Sequence, residues 1–238
     1  MLGFSLILVS TILYSLHYLI FHDSHHLFIY LMGDIAFVPV EVLLATLIIH
    51  RILNAREKQA MLRKLNMVIG TFFGEVGTEL LEMLSCYQKR REMFSADLIV
   101  NGTWSGQHFS RAHSLITGNT CIIDTGSDGL EDVKRFLSGH KMFLLGLMEN
   151  PNLLEHEAFT DMLWAVFHLM HELEHRSDVT KLGDRDREHL NGDIRRAYVA
   201  IINQWLFYME HLKKDYPYLF SLAVRTNPFD PEASVEIA

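Results

Sequence analysis

Residues 27–50 read LFIYLMGDIAFVPVEVLLATLIIH, and this stretch decides how the chain is organised. A helix needs about 20 mainly apolar residues to cross the hydrocarbon core of a bilayer, and this run exceeds that length. It nevertheless contains Asp34, Pro39 and Glu41. The stretch therefore predicts a transmembrane helix that carries two carboxylates and a proline kink.

Residues 2–21 form a companion apolar run that contains no Asp, Glu, Lys or Arg. The basic start and the small-residue cleavage site of a signal peptide are not seen, and a second apolar run follows at once. We therefore predict an uncleaved transmembrane hairpin over residues 1–56, with spans at about 2–21 and 27–50 and its turn at 23–26. The lipid bilayer is its expected partner.

Basic residues flank only one side of this hairpin. The turn has no Lys or Arg, whereas the second span is followed by Arg51, Arg56, Lys58, Arg63 and Lys64. The positive-inside rule then places both termini in the cytoplasm and predicts a multi-pass protein of the cytoplasmic (inner) membrane.

Asp34 and Glu41 are seven residues apart, so they share one helix face at about 10 Å along the axis. One interpretation is a proton or cation path, which would require an oligomer because two spans cannot enclose a pore. Another is polar adhesion between helices or subunits. A third lets Asp34 reach the membrane surface while Glu41 bonds to Ser or Thr of the first span. The turn residues His22, Asp23, His25 and His26 could bind a metal or simply lie at the interface.

Composition limits the function classes. The chain has 238 residues, 49% hydrophobic and 21% charged, with a formal net charge of −8, which fits a small membrane section joined to one soluble domain. The negative charge argues against nucleic-acid binding. Cys86 and Cys121 are too few for a disulfide framework and predict free thiols.

Residues 57–225 predict a cytosolic helical domain, beginning with a helix from Glu57 to Phe94. Three glycines at 70, 74 and 77 suggest a bend or a very close neighbour. Residues 95–129 are rich in turn formers and predict an irregular segment, and 226–238 predict a flexible tail. The fold class is therefore all-α. The apolar stripe of the first helix comprises Leu62, Leu65, Ile69, Phe72, Val76, Leu80 and Met83.

Residues 171–175 read His-Glu-Leu-Glu-His, which matches the His-Glu-x-x-His signature of zinc metallopeptidases. Imidazoles one helical turn apart can bind zinc, and the glutamate can activate the metal-bound water. In this interpretation His171 and His175, with His168 nearby, are metal ligands, Glu172 is the catalytic base and zinc is the cofactor. Glu174 and Arg176 place charges where those peptidases have uncharged residues, and the third ligand stays open between His189, Glu188 and Glu210. The alternative is a solvated or interfacial polar face without a cofactor.

Three runs carry a family resemblance: Gly33–Phe37, Glu149–Glu157 and Tyr216–Ala223. They resemble an uncharacterised family of prokaryotic two-span membrane proteins with a cytosolic helical domain. The resemblance implies the architecture and brings no activity.

Three functions follow as hypotheses. The first is a membrane-anchored interaction, scaffold or sensing protein without catalytic activity, which forms homo-oligomers through its transmembrane and juxtamembrane helices. The second is a membrane-bound zinc metallopeptidase, and the third is an oligomeric channel- or transporter-like subunit that uses Asp34 and Glu41.

Overall fold

A computed structural model describes residues 2–89, 95–117, 121–126, 129–151, 153 and 156–236, with the side chains of 2, 58–60, 62 and 63 outside that description. Leu62 of the predicted stripe is one of these. The regular structure of the described residues is helical, apart from an isolated antiparallel bridge between Gln88 and Ile123. The all-α class is confirmed.

The helices follow one another in chain order with a π-helical segment, Phe73–Gly77, after the second. They are α1 (Leu2–Phe21), α2 (Ser24–Phe72), α3 (Thr78–Ser85), α4 (Gly106–Thr117), α5 (Leu130–Gly139), α6 (Lys141–Met148), α7 (Glu157–Glu174), α8 (Asp184–Asp215) and α9 (Pro217–Arg225). The chain divides into two compact units, Met1–Ala60 and Met61–Ala238.

The first unit contains two apolar stretches, Gly3–Phe21 and Ser24–Glu57, each with an 18-residue window whose mean hydropathy is 1.9 and 2.0, respectively. Both are long and apolar enough to cross a membrane, and neither is buried within the described structure. Phe4, for example, is 85% exposed. Pro39 lies inside α2, whose helical backbone continues through it.

The second unit has an apolar core built around α8. This helix packs against α3, α4, α7, α9 and the π-helical segment. Acidic residues Asp184 and Asp186 begin it and Lys213 and Lys214 end it, which suits the helix dipole. Its buried apolar residues recur at three- and four-residue steps: Leu190, Ile194, Ala197, Tyr198, Ile201, Ile202, Trp205, Leu206, Met209 and Leu212.

The glycines of the first domain helix coincide with a change in its hydrogen-bond ladder. In the π-helical segment, the backbone N–H and the hydroxyl of Thr78 both donate to the Phe73 carbonyl, the hydroxyl at 2.8 Å. A Cβ on Gly70 would lie 3.5 Å from the Tyr208 ring, and that ring stacks on Phe73 at 5.1 Å. The predicted continuous helix to Phe94 is wrong, because α3 ends at Ser85.

The predicted irregular segment 95–129 contains a regular helix, α4. Its Phe109, Ala112 and Ile116 are buried and pack it against α8, while most of its other positions hold polar residues or glycine. The region predicted as a flexible tail also contacts the core. Phe229 is buried, with its ring 5.1 Å from that of Trp205.

Candidate functional site

The last turn of α7 carries His171 and Glu172, and His175 follows directly as the C-cap residue. His175 Nδ1 lies 2.8 Å from the carbonyl oxygen of His171, and the His171 ring packs on Phe167 at 4.3 Å. The two imidazole rings are 5.9 Å apart. Among the described residues, His171 and His175 do not belong to any group of three or more side chains placed to hold a metal ion.

Glu172 is engaged by Arg176, the residue that follows the signature. Its Oε2 lies 2.7 Å from the guanidinium Nη1 of Arg176. The hydrogen bond from Arg176 lowers the pKa of the Glu172 carboxyl below its usual value, although partial burial opposes the shift. A general base works best with a pKa near the operating pH, so this pairing favours a structural role for Glu172 over activation of water.

Glu174, the other charge inside the signature, ties α7 to its neighbours. Its Oε2 lies 2.8 Å from Lys141 Nζ at the start of α6, and its Oε1 accepts a hydrogen bond from Ser138 at the end of α5. Lys141 lowers the pKa of this carboxyl. Both glutamates of the sequence motif therefore belong to ion pairs.

Arg176 links the C-terminal end of α7 to the first turn of α8. Its side chain is 17% exposed and also contacts Asp186, with Nη2 2.6 Å from Oδ1 and Nε 3.1 Å from Oδ2. This bond lowers the pKa of Asp186 as well. A fork of this kind fixes the planar guanidinium against both carboxylates.

Arg176→Gln should lower the free energy of unfolding by about 2 kcal/mol, because two charge-assisted contacts are lost. The pKa values of Glu172 and Asp186 in the folded chain are lower than their ordinary values of 4.5 and 3.8. Their stabilisation is therefore present above those values and is lost as the pH falls through the lower folded pKa values. Melting curves between pH 3 and pH 7 should show a smaller loss of stability on acidification in the variant. An unchanged acid dependence would contradict this assignment.

Two helices bring together four side chains of types that can bind a metal ion. His168 and Glu172 are four residues apart on α7, and His189 and Asp193 are four apart on α8. One ligand atom from each residue lies within 4.8 Å of all the others. His189 Nε2 is 3.5 Å from Glu172 Oε2 and 3.2 Å from Asp193 Oδ2. His168 Nε2 is 3.9 Å from Glu172 Oε1 and 3.5 Å from Asp193 Oδ1.

Asp193 is the buried member of this group, with 2% of its side chain exposed. Its Oδ1 accepts a hydrogen bond from Arg196 at 2.9 Å. Its Oδ2 is buried and accepts no hydrogen bond within the described residues, and its ion-pair contact there is with His189 Nε2 at 3.2 Å. The two histidines are 46% and 56% exposed and face solvent.

The carboxylates of the apolar hairpin have different surroundings. The Tyr14 hydroxyl of α1 donates to Asp34 Oδ2 of α2 at 3.1 Å. Glu41 makes no side-chain hydrogen bond or ion pair within the described part of the chain. Thr11 and Ser15 of the first span bond to carbonyl groups of their own helix instead. In the turn, Asp23 Oδ1 accepts from the backbone N–H of His26.

Comparisons with known proteins identify the lineage of both units. Residues 1–53 match the family described as the MJ1433 N-terminal helical domain, and residues 61–225 match that of the uncharacterized protein MJ1433, C-terminal helical domain. The chain belongs to the MJ1433 family. The predicted resemblance to an uncharacterised family is thereby confirmed.

A relative within the MJ1433 family is the "Uncharacterized protein MJ1433" of Methanocaldococcus jannaschii. It is 44% identical over 230 residues, which cover 97% of this chain and 92% of the relative. Both units are therefore common to the two proteins. No solved structure matches this chain.

In this MJ1433 family member, sequence reasoning found three of the four clustered residues and missed Asp193. His168 was a predicted ligand, Glu172 a predicted base and His189 an open choice for the third ligand. The signal for Asp193 is its spacing of four from His189, which repeats the spacing of His168 and Glu172.

Proposed function

We propose that this protein is a membrane-anchored sensing or interaction module without catalytic activity. The single observation that carries the proposal is the contrast between its two units. The second unit has a complete apolar core, whereas the apolar residues of the first stay exposed along two helices. Exposed apolar patches of this extent are typical of surfaces that contact lipid or another protein.

The surroundings of Glu172 support a function other than peptide hydrolysis. Its carboxylate is held by Arg176, and the imidazole of His175 lies 2.8 Å from the backbone carbonyl oxygen of His171. The hairpin supports adhesion over transport, because Asp34 is bonded to Tyr14. Glu41 has no described partner, which favours a polar contact with a second copy of the chain.

The full chain should stay in the membrane pellet after alkaline carbonate washing and enter the supernatant only with detergent. The physical reason is that removing two apolar spans from lipid exposes their side chains to water. A matched variant with Leu8→Arg and Val42→Arg places one charge in each span, at about 2.5–3.5 kcal/mol each, and should pellet less efficiently. Release of the natural chain by carbonate alone would contradict membrane anchoring.

Cys86 offers an internal readout of orientation because its thiol is exposed while that of Cys121 is buried. A membrane-impermeant thiol reagent should label Cys86 only after intact cells are opened, with Cys86→Ser as the unlabelled control. Labelling of intact cells would place the helical domain outside and contradict the proposed topology.

A further inference from the structure

We propose that His168, Glu172, His189 and Asp193 bind one divalent transition-metal ion, with zinc as the reference ion, and that this ion joins α7 to α8. The inference gives the proposed sensing module a ligand. It rests on that function only for its biological meaning, because all four residues lie in the second unit.

The spacing of the four ligand atoms suits a tetrahedral ion. Zinc bonds to imidazole nitrogen and carboxylate oxygen at about 2.0–2.2 Å, which places neighbouring ligand atoms of a tetrahedron about 3.3–3.5 Å apart. The two separations across the helices, His168–Asp193 and His189–Glu172, are both 3.5 Å. Within one helix, His189 and Asp193 are 3.2 Å apart and His168 and Glu172 are 3.9 Å apart, with either oxygen of a carboxylate counted. Small rotations of exposed side chains would complete the geometry.

Asp193 supplies an observation independent of this spacing. A buried carboxylate oxygen without a donor costs about 1–3 kcal/mol or more, and native structures rarely leave one unexplained. Oδ2 of Asp193 is such an atom, and it is directed at His189, on the side where the other ligands lie. A cation bound there would satisfy it.

The chemistry of the ligands narrows the class of ion. Two imidazoles with two carboxylates suit zinc, cobalt, iron or manganese, whereas magnesium and calcium prefer oxygen ligands alone. Both histidines are exposed, so an ion can reach the site from solvent. Arg176 contacts the carboxylate of Glu172 and Arg196 contacts that of Asp193. As outer partners, the two arginines fix the orientation of these carboxylates.

The competing interpretation is an ion-pair network without a metal. Its two carboxylates already face two arginines, and protonated histidines would add further cations. The two interpretations assign different roles to His168 and His189. A metal ion needs a ring nitrogen of each histidine as a ligand, whereas the network keeps its arginine–carboxylate contacts without either histidine.

The test uses the full chain, purified in detergent with an affinity tag that contains no histidine and stripped with a chelator. Titration with Co²⁺ should give the visible absorption of a tetrahedral site at one ion per chain, and Zn²⁺ should displace it. His168→Ala and His189→Ala should each weaken Zn²⁺ binding by at least about 100-fold, more than the loss of an outer partner causes. His175→Ala is the matched control and should bind as the natural chain does.

Two results would overturn the proposal. One is the absence of a stoichiometric site in the folded natural chain, which would favour the ion-pair network. The other is loss of binding in His175→Ala with binding kept in His189→Ala, which would favour the His-Glu-x-x-His motif.

Asp193→Asn, which preserves side-chain shape, should also lose binding while melting as a folded domain. These outcomes are separate from those of the carbonate extraction, so either proposal can fail alone.

Discussion

Phe159→Ala should lower the free energy of unfolding of the helical domain by about 4 kcal/mol, within the range for truncating a buried phenylalanine. Its ring is 0% exposed on α7 and meets Phe72 edge to face at 5.6 Å and 90°. The cost combines the lost free energy of burying the ring with the cost of the cavity left between rigid helices. It should appear as a melting temperature lower by about 8–16 °C for a domain of this size.

Tryptophan fluorescence measures this change selectively. The three tryptophans, Trp104, Trp164 and Trp205, all lie in the second unit, so the apolar hairpin is silent. Phe207→Ala is the matched control, because this ring is 53% exposed, and its loss should change stability by less than about 1 kcal/mol. Equal shifts for the two variants would contradict the described core.

Alanine should have opposite effects at two glycines of the π-helical segment. A Cβ on Gly77 would lie 2.6 Å from the Phe73 ring and 2.7 Å from the Phe72 ring. Both rings are buried and cannot move aside freely, so Gly77→Ala should cost about 3 kcal/mol through overpacking. A Cβ on Gly74 meets nothing within 4 Å, and Gly74→Ala should stabilise the helix by about 0.5–1 kcal/mol.

The same fluorescence melts compare these two variants, which make the same substitution at sites three residues apart. The expected difference between them is about 3–4 kcal/mol. Similar stabilities would mean that Phe72 and Phe73 repack at little cost, and the close approach at Gly77 would then have no energetic role.

The apolar pattern of the sequence was sufficient for the helix class and for the long elements. Residues 2–21 and 27–50 are so long and so apolar that they predict a pair of long apolar helices. The stripes of α7 and α8 repeat over many turns, so single exceptions do not hide them. Gly70 and Gly77 likewise pointed to a close neighbour, which the structure identifies as aromatic rings, whereas Gly74 has none.

Features that depend on contacts between distant residues could not be read from the pattern. Helix α4 has only three buried residues in twelve, and its stability comes from packing on α8. The candidate site needs the register between α7 and α8, which alone brings Asp193 to His168.

Asp193 also bears on how long the two main helices stay together. Its unsatisfied oxygen places a polar defect in the principal helix contact of the domain. Such a defect lowers the cost of local opening, so the helices should separate more often here than where apolar side chains alone meet. An ion that satisfies this oxygen would act on the lifetime of the closed pair. The occupancy of four side chains would then set how often the core between α7 and α8 is exposed to proteases or partners.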